Sequence, residues 1–269
     1  MRVSILIAHY NNWNYLQDCL KSIENQTYKN FEIVIVDDCS TEVPFDLLEN
    51  LAANNPKIKV FKNSENKKVG FTKKRCVAEA TGEICGFLDP DDLIAPNVLE
   101  LVIDTYKNHN VIATYSKIKL INSLSEEMGI FKHSKKIKNK NRLFFNINFE
   151  VAHFFTFKKE FYLKTSGINS SLSSSVDQDL YMKLYEQGDF YFIDKVQYFY
   201  RLHDKGVSQD KSKKKLLNLN WHQVLLDTCK RRGITKLYGK PVESIEDLPQ
   251  FIFKNENTFF KKIFKKFSY

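Results

Sequence analysis

Three short runs, Val3–Ala8 (VSILIA), Phe31–Val36 (FEIVIV) and Ile84–Leu88 (ICGFL), are almost continuously apolar and rich in β-branched residues. Such runs read as strands buried on both faces of a parallel sheet. Helical spacing fills the intervals. Trp13–Ile23 places Tyr15, Leu16, Cys19, Leu20 and Ile23 on one face. Gly70–Ala80 predicts a helix stopped at Gly82, and Pro96 opens another over Asn97–Lys107. Val60-Phe61 predicts a short third strand. Strand alternating with helix over the first ~110 residues predicts an α/β fold, a mainly parallel sheet with helices on both faces.

Each main strand ends in polar residues: His9-Tyr10-Asn11-Asn12, Asp37-Asp38, and Asp89-Pro90-Asp91-Asp92. Right-handed crossovers bring these carboxyl ends to one edge, where open α/β sheets bind their ligands. Pro90 stops the ladder because it has no N–H to donate, and Gly86 leaves room for another backbone. Three carboxylates in four positions repel one another unless a cation or a donor network offsets them. Their oxygens suit a hard divalent ion, Mg2+ or Mn2+, shared with a substrate phosphate. Taken singly, each feature has a plainer reading: an Asx turn at Asp37-Asp38, a helix cap at Asp91 or Asp92. Three polar strand ends on one edge make a site. The loop after the first strand, HYNNWN, contains no glycine, which excludes the G-x-G-x-x-G dinucleotide cradle. Metal and basic side chains remain as the devices for holding phosphate.

Beyond residue 110, Val111–Ile121 predicts one or two strands, Lys132–Arg142 a solvated loop, and Phe149–Phe157 a strand or pocket wall containing His153. Ser173–Ser175 opens a helix through Tyr185, with Asp177 and Asp179 placed to cap it. Tyr191–Tyr200 is strand-like and leads to Arg201-Leu202-His203; Lys213–Arg232 predicts a helix. The last stretch, Phe251–Tyr269, interleaves phenylalanines with lysines. Phe260, Ile263, Phe264 and Phe267 share a face, a basic amphipathic helix suited either to an anionic membrane surface or to docking on the core. The net charge of +9 invites anionic partners. Five scattered cysteines without C-x-x-C spacing argue for reduced thiols in a cytoplasmic setting and against a zinc site. No signal-peptide pattern and no transmembrane-length apolar run is present.

The stretches VSILIAHYNN, QTYKNFEIVIVDDCST, TKKRCVAEATGEICGFLDPDD and VDQDLYMKLYEQG, in this order, resemble family 2 glycosyltransferases of the GT-A fold as far as about residue 205. The resemblance implies a nucleotide-sugar-binding half over residues 1–110, an acceptor-binding half over 111–205, and a basic helical C-terminal extension over 206–269. It implies that Tyr10, with His9 before it, packs beside the uracil of a UDP-sugar, that Asp38 accepts from the base N3–H, and that Arg75 lies by the nucleotide. Asp89, Asp91 and Asp92 match the D-x-D motif that holds the ribose and a Mn2+ or Mg2+ ion. Spacing leaves open which aspartate touches metal. Arg201 and His203 match an R-x-H near the diphosphate or metal, and His153 falls on the acceptor side.

The family's E-D-x-D-L motif assigns the general base to Asp177, with Asp179 as runner-up; Val176 replaces the motif's glutamate. The implied reaction is inverting transfer of a sugar from a UDP-sugar to an acceptor hydroxyl of a glycan. The Lys-, Asn-, Ile- and Phe-heavy composition suits an AT-rich bacterial genome, and a small cytoplasmic chain with a basic tail suits surface-polysaccharide or lipooligosaccharide assembly on a lipid-linked acceptor at the inner face of the cell membrane. Val176 motivates a rival, a nucleotide-sugar binder that has lost catalysis. The basic tail motivates another, a membrane-surface or nucleic-acid-binding module, which leaves the three acidic strand ends unexplained.

Overall fold

The computed structural model of the chain describes residues 1–42, 44–204 and 214–258. The first half alternates β1 (Val3–His9), α1 (Trp13–Glu24), β2 (Phe31–Asp37), α2 (Asp46–Asn54), β3 (Ile58–Lys62), α3 (Lys68–Glu79) and β4 (Ile84–Phe87). These four strands lie parallel in the order β3–β2–β1–β4. Their carboxyl ends therefore share an edge, as the alternation predicts. Then come β5 (Leu93–Ile94), α4 (Val98–Asn108), β6 (Ala113–Ile121), β7 (Glu127–Ile130), β8 (Thr156–Lys158), α5 (Lys159–Tyr162), α6 (Val176–Tyr185) and β9 (Phe190–Arg201). They extend the sheet to nine strands, in which β8 runs antiparallel to β4 and β6, and β6 runs parallel to β9. The result is the expected α/β fold with a mostly parallel sheet.

Alternation along the strands splits the core in two. Leu6, Val34, Val36, Cys85 and Phe87 face α3 and α6, meeting Cys76, Val77, Leu180 and Leu184. Val3, Ile5, Ile7, Ile33 and Ile35 face α1, α2 and α4, meeting Leu16, Leu20, Leu48, Leu99 and Val102. Each fully buried Leu, Ile or Val contributes about 1.5–3 kcal/mol, so the two layers together fix the sheet edge.

At Gly86 a Cβ would lie 2.7 Å from the Phe154 ring and 3.0 Å from the Thr156 methyl. The space it leaves is filled by side chains rather than by the backbone that the sequence suggests. The residues 149–157 are strand only from Thr156; before it they are an irregular wall, and Val151, Phe154 and Phe155 are buried.

Past the sheet, α7 (Lys214–Arg231), the small ladder of β10 (Lys236–Leu237) with β11 (Lys240–Pro241), and α8 (Leu248–Glu256) form a third cluster. Leu225, Cys229, Leu248 and Ile252 pack there on Phe145 and Ile147. Asp247 caps α8 by accepting from Gln250 N at 2.9 Å. Phe251–Glu256 is thus part of a docked helix. The membrane-type face expected over Phe260–Phe267 lies outside the described residues. Among the described residues, no helix is long and apolar enough to cross a membrane.

Candidate active site

α3 brings a basic side chain inward. Its buried face carries Lys73, Cys76 and Val77 at helical spacing. The Lys73 ammonium, almost fully buried, bridges Asp89 Oδ1 at 3.0 Å and Asp177 Oδ1 at 2.8 Å. Asp89 follows β4, and Asp177 stands in the first turn of α6. His153 closes the group, its Nε2 lying 3.7 Å from Asp89 Oδ2 and 3.7 Å from Asp177 Oδ2, with its ring stacked on Tyr198 at 5.0 Å. Burial alone would push the Asp177 carboxyl up; the Lys73 charge and the His153 ring outweigh it and hold the group well below the carboxylate range. Burial would likewise lower Lys73, but the charges of Asp177 and Asp89 raise it and keep it an ammonium. Asp177 is still 30% exposed, so its carboxylate is charged, oriented and open on one side.

Asp91 and His203 form a second grouping, 2.8 Å apart. The His203 ring packs on Tyr15 at 4.9 Å, which also receives the Arg201 guanidinium at 4.6 Å.

Several expected contacts change role. Asp92 is 1% exposed, and its carboxylate accepts from Tyr198 Oη at 2.6 Å and from Arg201 N at 2.7 Å. With one oxygen engaged by Tyr198 and the other by Arg201 N, Asp92 fastens the acidic loop to β9 instead of facing a metal; burial, with Asp91 and Asp89 adding, pushes its carboxyl well up. Arg201 is equally buried. It donates to the carbonyls of Asp91 and Ser123 and to Ser125 Oγ, a strut beneath the loop in place of a donor contact. Asp179 turns away from Asp177, since residues two apart on a helix do not share a face. It pairs with Lys183 at 2.8 Å and accepts from Asn169 N, which removes it as a base. Neither aspartate caps α6, which begins after Ser175 without a side-chain cap.

On the nucleotide side, His9 ends β1 and is buried, its Nδ1 2.8 Å from Asp37 Oδ1, so it faces inward and offers no surface to a donor. Tyr10, 45% exposed, is the open ring at that edge. Asp38 accepts from Asn63 Nδ2 at 2.7 Å and from the backbone N–H groups of Lys67 at 2.8 Å and Lys68 at 2.9 Å, clamping the start of α3. Arg75 points to the outer side of α3, donating to Lys62 O and Asn63 Oδ1. It supports Asp38 through Asn63, and the basic residue entering the carboxylate group is Lys73. The pattern Lys73, Cys76, Val77, Ala80 marks that inward face in the sequence.

Two sets of ligand atoms bear on a metal. Asp89, His153 and Asp177 each offer one atom, all within 4.8 Å of one another. The single Lys73 ammonium is shared between those two carboxylates and offsets one of their two negative charges. Asp91 and His203 present an oxygen and an imidazole nitrogen at a spacing that fits adjacent positions around Mn2+ or Mg2+, a donor set such ions accept.

The chain is similar over 93% of its length to the chondroitin synthase of Escherichia coli, 29% identical over 250 residues, and to the hyaluronan synthase of Pasteurella multocida, 27% identical over 252. It spans 36% and 25% of the lengths of those relatives. Among solved structures, S. aureus TarS 1–349 in complex with UDP-GlcNAc superposes with a TM-score of 0.70 at 21% identity, over 84% of this chain and 66% of that one. That likeness establishes the GT-A-like fold. The sequence profile described as glycosyl transferase family 2 matches residues 4–165, which hold all three polar strand ends and the Lys73–Asp89–His153 group. With the profile covering more than half of the chain, this protein belongs to glycosyl transferase family 2.

Proposed function

We propose that the chain is an inverting glycosyltransferase that moves a sugar from a UDP-sugar to an acceptor hydroxyl in the synthesis of a bacterial surface polysaccharide. The observation that carries this reading is the Asp177 carboxylate, held between Lys73 and His153 and open on one side, at the strand edge that also presents Tyr10, Asp89 and the Asp91–His203 pair. The names of the relatives, a chondroitin synthase and a hyaluronan synthase, support a glycan product. The UDP-GlcNAc complex of TarS supports a donor of the UDP-sugar class.

Tyr10 stacks beside the base, Asp38 accepts from it through any lone pair not used by α3, and Asp89 meets the ribose. Asp91 and His203 would hold Mn2+ or Mg2+, which would supply positive charge against the diphosphate. Asp177 takes the proton from the acceptor hydroxyl as that oxygen bonds to the anomeric carbon. The bond from that carbon to the phosphate oxygen breaks on the opposite face, its electron pair leaving with UDP. One displacement inverts the anomeric centre. Lys73 keeps Asp177 ionised and aimed. Residues 1–205 carry the transferase, and α7 and α8 buttress its acceptor side through Phe145 and Ile147. A lipid-linked acceptor, lipooligosaccharide included, and contact of the lysine-rich sequence 259–269 with an anionic cytoplasmic membrane surface complete the proposal.

The test is UDP release from a panel of UDP-sugars, with Mn2+ and with EDTA. Slow metal-dependent hydrolysis of one donor is expected before any acceptor is supplied. Absence of UDP binding under both conditions would overturn the reading.

A further inference from the structure

We propose that Phe149 and Trp221 form an aromatic platform for the glycan of the acceptor, one layer out from Asp177; this rests on the transferase reading above and adds where on this chain that glycan is held. Phe149 is 41% exposed, on a backbone with φ of 58°, a region disfavoured for a bulky residue. Its ring packs on the half-buried Trp221 of α7, with centroids 5.1 Å apart and planes at 48°.

Independent links place this pair beside the base. Phe149 precedes His153 by four residues, at most ~14 Å of extended chain. Asn220, next to Trp221, donates to Ser173 Oγ at 3.1 Å and Ser174 Oγ at 2.7 Å, on the segment that turns into Asp177. Asn146 holds the 146–151 loop through the N–H and carbonyl of Val151, and donates at 3.0 Å to Gln178, the residue after Asp177. The 146–151 loop and α7 are thus both tied to the start of α6, the helix that carries Asp177.

The chemistry around the rings selects the ligand. A sugar presents an apolar C–H face and a rim of hydroxyls, and here two aromatic rings are bordered by amides, hydroxyls and a carboxylate. Asn148 donates to Glu150 Oε1 and accepts from Asn257, keeping polar groups at the border. Trp221 Nε1 and Glu150 Oε2 are buried without a partner among the described residues. An acyl chain would find no use for such a rim. The family profile ends at residue 165, so α7 and Trp221 lie beyond what family membership specifies.

The experiment uses the full chain. The sequence has two tryptophans, so Trp13→Phe leaves Trp221 as the reporter. Chondroitin hexasaccharide, hyaluronan hexasaccharide and chitotetraose are titrated with UDP present while indole emission is followed. At least one is expected to shift the emission. Phe149→Ala should weaken that binding about tenfold or more, and Phe149→Tyr should restore it. In transfer assays Trp221→Ala should raise the acceptor KM by about tenfold and the donor KM by less than about twofold, with thermal unfolding confirming that each variant is folded. No emission shift with any oligosaccharide, unchanged binding in Phe149→Ala, or a shift with polyprenyl phosphate vesicles alone would each overturn the platform. Donor hydrolysis by the wild-type chain without acceptor reports on the transferase reading separately. Hydrolysis without a glycan response breaks the platform and leaves the transferase standing.

Discussion

Two buried ionic clusters occupy opposite ends of the same parallel strands, and they are built to different standards. At the amino end, Glu32 is 0% exposed and fully engaged. It accepts from Ser4 Oγ and Thr81 N, each at 2.6 Å, and meets Lys59 at 2.9 Å and Arg2 at 3.3 Å. At the carboxyl end, Asp177 has one short contact, to Lys73, and a longer one to His153. Both carboxylates are charged. The closed cluster uses every lone pair to join β1, β2 and β3 to the turn before β4, whereas the open one leaves lone pairs for a reactant. Completeness of pairing, more than charge, separates the structural end of this sheet from the chemical end.

The comparison can be broken in four places. The largest effect belongs to Asp177→Asn, which keeps the shape and removes the proposed base. Turnover should fall by about 10²–10⁴-fold with donor binding retained, and equal loss of both would place the base elsewhere. Next is Glu32→Ala, which leaves Lys59 and Arg2 facing a vacancy. Lys59 and Arg2 are exposed enough to be solvated, so the loss comes from the buried hydrogen bonds of Ser4 and Thr81: chemical denaturation should show about 1–3 kcal/mol, with kcat per folded molecule close to wild type.

The pH dependence of that same cluster follows from its hydrogen bonds. Burial would raise the Glu32 carboxyl, but Ser4, Lys59 and Thr81 together lower it from 4.5 to about 2. A depressed carboxylate contributes stability that is complete above the unfolded value and is lost as pH falls toward about 2. Glu32→Gln should therefore flatten the acid limb of the stability curve between those values.

At the open end, His203→Ala should weaken Mn2+ activation by about 10–100-fold, read from the metal concentration giving half-maximal UDP release. The smallest effect on metal is expected from Asp92→Asn. That change should lower stability by about 1–3 kcal/mol through its lost partners and leave the metal requirement as it was. A metal response as large as that of His203→Ala would return Asp92 to the coordination shell.

Much of this arrangement is written in the chain. The runs at Val3, Phe31 and Ile84 are nearly pure apolar strand, so the parallel sheet and its polar edge follow from period alone. By contrast, α2 buries only Leu48, and β5 is two residues long, so neither has enough pattern to announce itself. Within the site, Asp177, Asp89 and His153 are legible as ionisable groups at element ends. Lys73 is harder to see because a lysine on an apolar helical face reads as solvated until its partner, 104 residues away, is in place. Asp91 and Asp92 are adjacent letters with opposite fates: the turn after Pro90 sends one toward His203 and the other inward to Tyr198. Local spacing does not encode that choice.

Gly86 has no chemistry of its own, yet it sets the depth at which the acceptor wall can seat. Any side chain there would displace the Phe154 ring, and Phe154 is joined by one peptide bond to His153. The imidazole facing Asp177 thus inherits its position from a hydrogen atom in the middle of the sheet. A substitution at Gly86 would therefore reach Asp177 through the His153 ring without touching the carboxylate itself.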